Sequence, residues 1–213
     1  MFQRQIEVIG ESGQRKLAES RVLIVGAGGL GCSLISILGC IGLGEIVIVD
    51  PDFVESHNLH RQLLFRREDI GKAKSVVAAD RGNRCGVTKF TPIVARLEEV
   101  AEELEPVDLI FDGTDNFESR HFIDKVAKKW QIPWILAGVE EWRGQVALLR
   151  ETELAQFLSG GGVGGKGQFP PVVTLVASLG AQLGLKELLK GPLPEELFYL
   201  DAHQTLSLLN FKL

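Results

Sequence analysis

The sequence predicts an α/β protein with a doubly wound, mostly parallel sheet that is extended by antiparallel strands at the C-terminus. Three observations predict it. The runs RVLIV (21–25), EIVIVD (45–50) and VDLIFD (107–112) are continuously apolar rather than alternating, as strands covered on both faces are. Segments of helical spacing separate these runs, the alternation expected of a parallel sheet. Past residue 140 the strands GQVALLR (144–150) and FYLDAHQTLSLLNFKL (198–213) have hairpin character.

Taken in order, residues 1–20 form a helical arm of mixed polarity, and the strand over 21–25 ends in glycines before an apolar helix over 30–42. The strand over 45–50 follows. Residues 71–84 (GKAKSVVAADRGNR) have helical spacing, 87–94 return to strand composition, and 97–105 form an acidic helix. After the strand over 107–112 comes a helix running to Trp130, then a strand over 133–137. The glycine-rich run SGGGVGGKG (159–167) is expected to be a flexible connection, and 171–189 a long apolar helix.

At 213 residues the chain can bury one full core, and its 45% hydrophobic and 24% charged content is ordinary for a globular protein. A net charge of −5 argues against broad electrostatic attraction to nucleic acid but leaves room for a local basic pocket. No run reaches the roughly 18 uninterrupted apolar residues of a membrane span, and MFQRQIEVIG lacks a signal-peptide layout. Cys32, Cys40 and Cys85 are too few and scattered for a disulfide framework or a zinc site, and the first two are expected to be small buried thiols. A cytoplasmic protein with no membrane partner is the simplest expectation.

Residues 26–31 read GAGGLG between a strand and a helix. In that setting glycines serve a tight turn, close approach of a ligand and helix–strand packing, while the helix N-terminus offers N–H groups to an anion. The fold is thus Rossmann-like, and Asp50 at the next strand end is placed for a ribose hydroxyl. Residues 160–166 also match G-x-x-x-x-G-K, but Gly167 stands where a magnesium-binding hydroxyl is needed and no buried strand precedes the run. A phosphate loop is therefore not expected there.

Residues 49–65 (VDPDFVESHNLHRQLLF) carry more chemistry than a turn needs. Asn58, Arg61 and Gln62, with Lys74 shortly after, supply two cations and several amide donors, a set suited to a triphosphate. Asp115 follows the strand ending at Asp112 and so falls at the carboxyl edge of the sheet, where ligands bind. A carboxylate facing phosphates implies a divalent cation between them, magnesium. His57 and His60 are read as loop residues without a ligand role.

In order and spacing, GAGGLG, DPDFVESHNLHRQ, GKAK, GTDNFESR and RGQ resemble the ThiF/MoeB/HesA family, the bacterial relatives of ubiquitin-activating enzymes. The likeness extends from Arg4-Gln5 to Tyr199–Ala202. It implies one adenylating domain over 1–213, with an arm (1–20), a nucleotide-binding core (21–140) and a crossover loop (159–170). The implied activity is ATP-dependent adenylation of the C-terminal Gly-Gly carboxylate of a ubiquitin-like sulfur carrier, in thiamine, molybdopterin or related sulfur transfer. In that reading Gly26, Gly28, Gly29 and Gly31 form the nucleotide turn, Asp50 binds the ribose, and Asp52 is a further nucleotide-binding residue. Asn58, Arg61, Gln62 and Lys74 hold phosphates, Asp115 holds magnesium, and Asn116 completes the set. Arg4 resembles the arginine that reaches into a homodimer partner's site, which makes Arg4, Arg61, Lys74 and Asp115 the candidate catalytic residues.

The chain departs from the family in lacking two CxxC pairs, so no structural zinc is expected, and its crossover run carries no cysteine. Chemistry is then expected to stop at the adenylate. A TcdA-like tRNA-modifying dehydratase would use the same ATP site and stays open as an alternative; the acidic charge, short chain and NLHRQ variant favour the carrier-activating branch.

Overall fold

The computed structural model describes residues 1–152, 154 and 167–213. Its elements are α1 (Gln3–Glu19), β1 (Arg21–Val25), α2 (Gly29–Leu38), β2 (Glu45–Val49), α3 (Lys74–Gly82), β3 (Lys89–Ile93), α4 (Leu97–Val100), β4 (Leu109–Asp112), α5 (Phe117–Trp130), β5 (Trp134–Glu140), β6 (Arg143–Leu149), α6 (Pro170–Lys190), β7 (Glu196–Asp201) and β8 (Ser207–Lys212). The strands form one sheet in the order β3-β2-β1-β4-β5-β6-β7-β8. Pairing is parallel from β3 to β5 and antiparallel from β5 to β8. This is the predicted Rossmann-like sheet with its antiparallel extension.

The unbroken apolar runs have a direct cause. In β1, Val22 and Ile24 face the layer of α1, α2, α3 and α6, whereas Leu23 and Val25 face the layer of α4 and α5. Successive strand side chains point to opposite faces, so a sheet covered on both faces needs apolar residues at every position. Helix α6 is apolar and long enough to cross a bilayer by composition, but Val172, Val173, Val176, Ala177 and Ala181 are buried in the core layer it shares with α2. Its apolarity is accounted for by that packing.

Several element ends differ from expectation for local reasons. Helix α2 stops at Leu38, where Gly39 caps it and Gly42 turns with a φ of 82°. Helix α3 starts only at Lys74, because Gly71 has a φ of 85°. The acidic helix shrinks to Leu97–Val100. Continuing it would stack Glu98 on Glu102 and Glu99 on Glu103 at i,i+4, a like-charge arrangement that disfavours a helix. The expected flexible connection over 159–167 lies, apart from Gly167, outside the described residues.

The reading of the cysteines needs correction. Cys32 is buried as expected, and burial pushes its thiol up to about 12. Cys40 instead lies beyond the end of α2 and is joined to Cys85 in a disulfide, with Cα atoms 5.4 Å apart. Scatter along the chain hid the pair, because α2 and α3 lie on one side of the sheet and bring their C-terminal ends together. Disulfides belong mainly to oxidising environments.

Candidate nucleotide and phosphate site

Strand order reverses between β1 and β4, and a pocket of about 340 Å³ opens at the carboxyl edge there. It is built first from the turn after β1. Gly26 has a φ of 91°, and a Cβ on it would lie 2.9 Å from the Gly113 carbonyl carbon and oxygen. At Gly31 a Cβ would meet the Gly26 carbonyl oxygen at 1.9 Å, so only glycine lets α2 start against this turn. Gly28 is different: a Cβ there would have only Gly113 O and Gln62 Nε2 near it, at 3.8 and 3.9 Å, so its missing side chain leaves room on the pocket side.

Asp50 holds this turn in place. Its Oδ2 accepts from the Ala27 N–H at 2.6 Å and its Oδ1 from the Asp52 N–H at 2.7 Å. Burial raises the Asp50 carboxyl pKa against the opposing effect of those two N–H groups. The next segment is fixed by Asn58, whose buried Oδ1 accepts from the Glu55 N–H at 3.0 Å. Lys74, the first residue of α3, pairs its Nζ with Asp52 Oδ2 at 2.8 Å while its own side chain is buried. Gln62 is 2% exposed, and its Oε1 has no partner among the described residues.

The guanidinium of Arg61 is oriented by two acceptors. Its Nε donates to Gln168 Oε1 at 3.0 Å and its Nη1 to the His57 carbonyl at 3.2 Å. No carboxylate pairs with it among the described residues, which leaves its positive charge uncompensated in the pocket wall.

The opposite wall is the loop after β4. Asp112 is wholly buried and pairs with Arg120, itself 1% exposed, through Nε at 2.9 Å. Its other oxygen accepts from Thr114 N–H at 2.8 Å and Thr114 Oγ1 at 2.6 Å. Arg120 Nη2 also donates to the carbonyls of Ala137 at 2.9 Å and Thr114 at 3.3 Å. This buried network sets the path of the loop that presents Asp115 to the pocket, exposed and without a partner among the described residues. Asn116 caps α5 by accepting from the Ser119 N–H at 2.9 Å, so the capping role falls to Asn116 and leaves Asp115 unused.

The structure therefore gathers every candidate except Gly31 and Arg4 around one pocket. Gly31 lies just beneath it as a packing residue. Arg4 is exposed on α1 and does not line the pocket of its own chain. Other lining residues escaped the sequence reading: His57, Gln168 and the wall at 95–98 after β3. His57, expected to have no ligand role, has its ring 3.5 Å from Glu55 at the pocket rim. Arg120 was legible in principle, because an acid ending a fully buried strand needs a cation and the following helix supplies one.

A profile described as the ThiF family matches residues 2–205. The chain belongs to the ThiF family. It is 37% identical over 148 residues to the SAMP-activating enzyme E1 of Haloferax volcanii, covering 68% of this chain and 54% of that protein. It is 35% identical over 149 residues to the sulfur carrier protein adenylyltransferase of Thermus thermophilus, covering 68% and 55%. The chain thus spans about half the length of these curated relatives. Among solved structures, E. coli MccB with ATP superposes with a TM-score of 0.80 at 22% identity, covering 94% of this chain and 65% of that one; this likeness is one of fold.

Proposed function

We propose that this chain is an ATP-dependent adenylyltransferase that activates the C-terminal carboxylate of a small ubiquitin-like sulfur carrier ending in Gly-Gly. One observation carries the reading: Arg61, Lys74 and the carboxylate of Asp115, unpaired among the described residues, converge on a single pocket beside the glycine turn. Two cations suit a polyphosphate, and a lone carboxylate among phosphates suits a shared divalent cation.

Magnesium fits the donor set. No group of three His, Cys, Asp or Glu side chains could hold a metal alone among the described residues. Asp115 would supply one ligand and the nucleotide phosphates others, the way magnesium is usually held. The ion would neutralise charge on the phosphoryl oxygens.

The chain's own groups do the rest by positioning. Asp50, at the end of β2 in the pocket wall, would accept from a ribose hydroxyl. Arg61 and Lys74 draw the phosphates into line, and the carrier carboxylate attacks the α-phosphorus as the bond to pyrophosphate breaks. Two anions must meet in this step, so fixed cations lower the barrier more than any covalent group would.

The deciding experiment is ATP–pyrophosphate exchange with candidate β-grasp proteins ending in Gly-Gly, with tRNA as a parallel arm. Stimulation by a Gly-Gly carrier and weak stimulation by its Gly-Ala form support the reading. Exchange driven by tRNA alone replaces it with the dehydratase alternative. Removing Arg61 as Arg61→Ala is expected to raise the barrier by about 2–4 kcal/mol, the usual cost of losing one preorganised electrostatic donor.

We also propose that the active form is a homodimer in which Arg4 completes the partner's site. Its exposure on α1, away from its own pocket, supports this. Mixed Arg4→Ala and Asp115→Ala proteins should regain part of the exchange activity, and failure to do so after verified subunit exchange removes the shared site.

A further inference from the structure

The contact between Arg61 and Gln168 joins residues 107 positions apart and has no counterpart in the motifs that define the site. Gln168 is held from both sides. It forms a parallel bridge to Glu141 at the turn between β5 and β6, and the Glu141 N–H donates to the Gly167 carbonyl at 3.0 Å. The next residue, Phe169, starts α6 by accepting from the Val172 and Val173 N–H groups at 3.0 and 3.2 Å. Its ring lies 4.7 Å from that of Trp142, and both rings are partly exposed, at 43% and 42%. A strand bridge, a helix start and an aromatic pair thus fix this glutamine at the pocket wall.

We infer that Gln168 is a positioning residue that aims the Arg61 guanidinium at the β,γ-phosphate end of the nucleotide. The inference rests on the nucleotide reading above. Arginine only donates, so the amide must present its carbonyl oxygen to Nε, and the His57 carbonyl takes one Nη1 hydrogen. With these two bonds made, the planar fork has one orientation, and its remaining donors stay available for phosphate. The choice of an amide matters. A neutral acceptor orients the cation without cancelling its charge, whereas a carboxylate at 168 would pair with Arg61 and repel the phosphates.

The test is equilibrium binding of ATP and of AMP, in the absence of any acyl substrate, to the wild type and to Gln168→Ala, Gln168→Glu and Trp142→Ala. Loss of one orienting hydrogen bond in Gln168→Ala should weaken ATP about 3–10-fold. Gln168→Glu keeps a partner for Arg61 yet should weaken ATP more than Gln168→Ala does. Trp142→Ala should shift ATP affinity in the same direction by less. AMP, which lacks the outer phosphates, should bind all four proteins equally. A purely structural role for Gln168 predicts the opposite pattern, with Gln168→Glu tolerated and AMP and ATP affected alike. That pattern, or unchanged ATP binding across the set, overturns the inference while the adenylation reading stands. If the wild type binds no ATP, both fall.

Discussion

In the parallel half of the sheet all four residues of β4 are buried, and the acid that ends it is paired and hydrogen-bonded. In the antiparallel half all six residues of β8 are exposed, with Leu208, Leu209 and Phe211 each about half accessible. Each strand carries three large apolar residues, in opposite surroundings. Strand β4 lies between helices on both faces and neighbours on both edges, whereas among the described residues β8 has only β7 beside it. Chemistry gathers in the first half for this reason, since a buried edge can hold charges in fixed positions and a solvated one cannot.

The sharpest way to break the contrast is to remove the buried cation. Arg120→Ala leaves Asp112 without a countercharge in the core and should cost about 3–5 kcal/mol of stability in urea unfolding. A loss of less than about 1 kcal/mol, the scale of a surface pair, would mean the parallel half is no more tightly built than β8. The Cys40–Cys85 bond comes next, stapling the ends of α2 and α3 across a separation of 45 residues. Cys40→Ser should destabilise the oxidised protein by about 2–4 kcal/mol and coincide with the wild type under reductant.

Smaller effects on stability sharpen the difference between two neighbouring acids. Asp115→Ala should abolish ATP–pyrophosphate exchange yet change stability by no more than about 0.5 kcal/mol, because the side chain is exposed and unpaired among the described residues. A folding defect in that variant would assign Asp115 to the scaffold alongside Asp112. Least of all should follow from Phe211→Ser on β8, within about 0.5 kcal/mol. A larger loss, or a fall in assembled mass, would show that this strand is covered in solution.

Legibility followed the same division. Strands β1, β2 and β4 and the glycine turn could be read because each rests on local chemistry: apolar continuity, positive φ and missing side chains. The pocket candidates in residues 49–65 could be read because a simple turn needs far fewer polar side chains than cluster there. Gln168 could not be read, since a lone glutamine after a glycine run carries no signal until the chain returns it to Arg61. The Cys40–Cys85 pair failed for the same reason. Helix α4 was overread because composition suggested a helix that repulsion among its acids shortens.

By itself, the sequence determined the alternation of strands and helices, the turn that only glycine can make, and the supply of cations and carboxylates near it. These depend on backbone sterics and side-chain periodicity, which act over a few residues. Only the tertiary structure decided which acid is buried scaffold and which is left in solvent, that Asn116 and not Asp115 caps α5, and that Arg61 is aimed by a residue 107 positions away. Those outcomes depend on which groups lose water together when the two helix layers close on the sheet. A carboxylate deprived of solvent must find a partner, and one left in solvent remains available for a ligand.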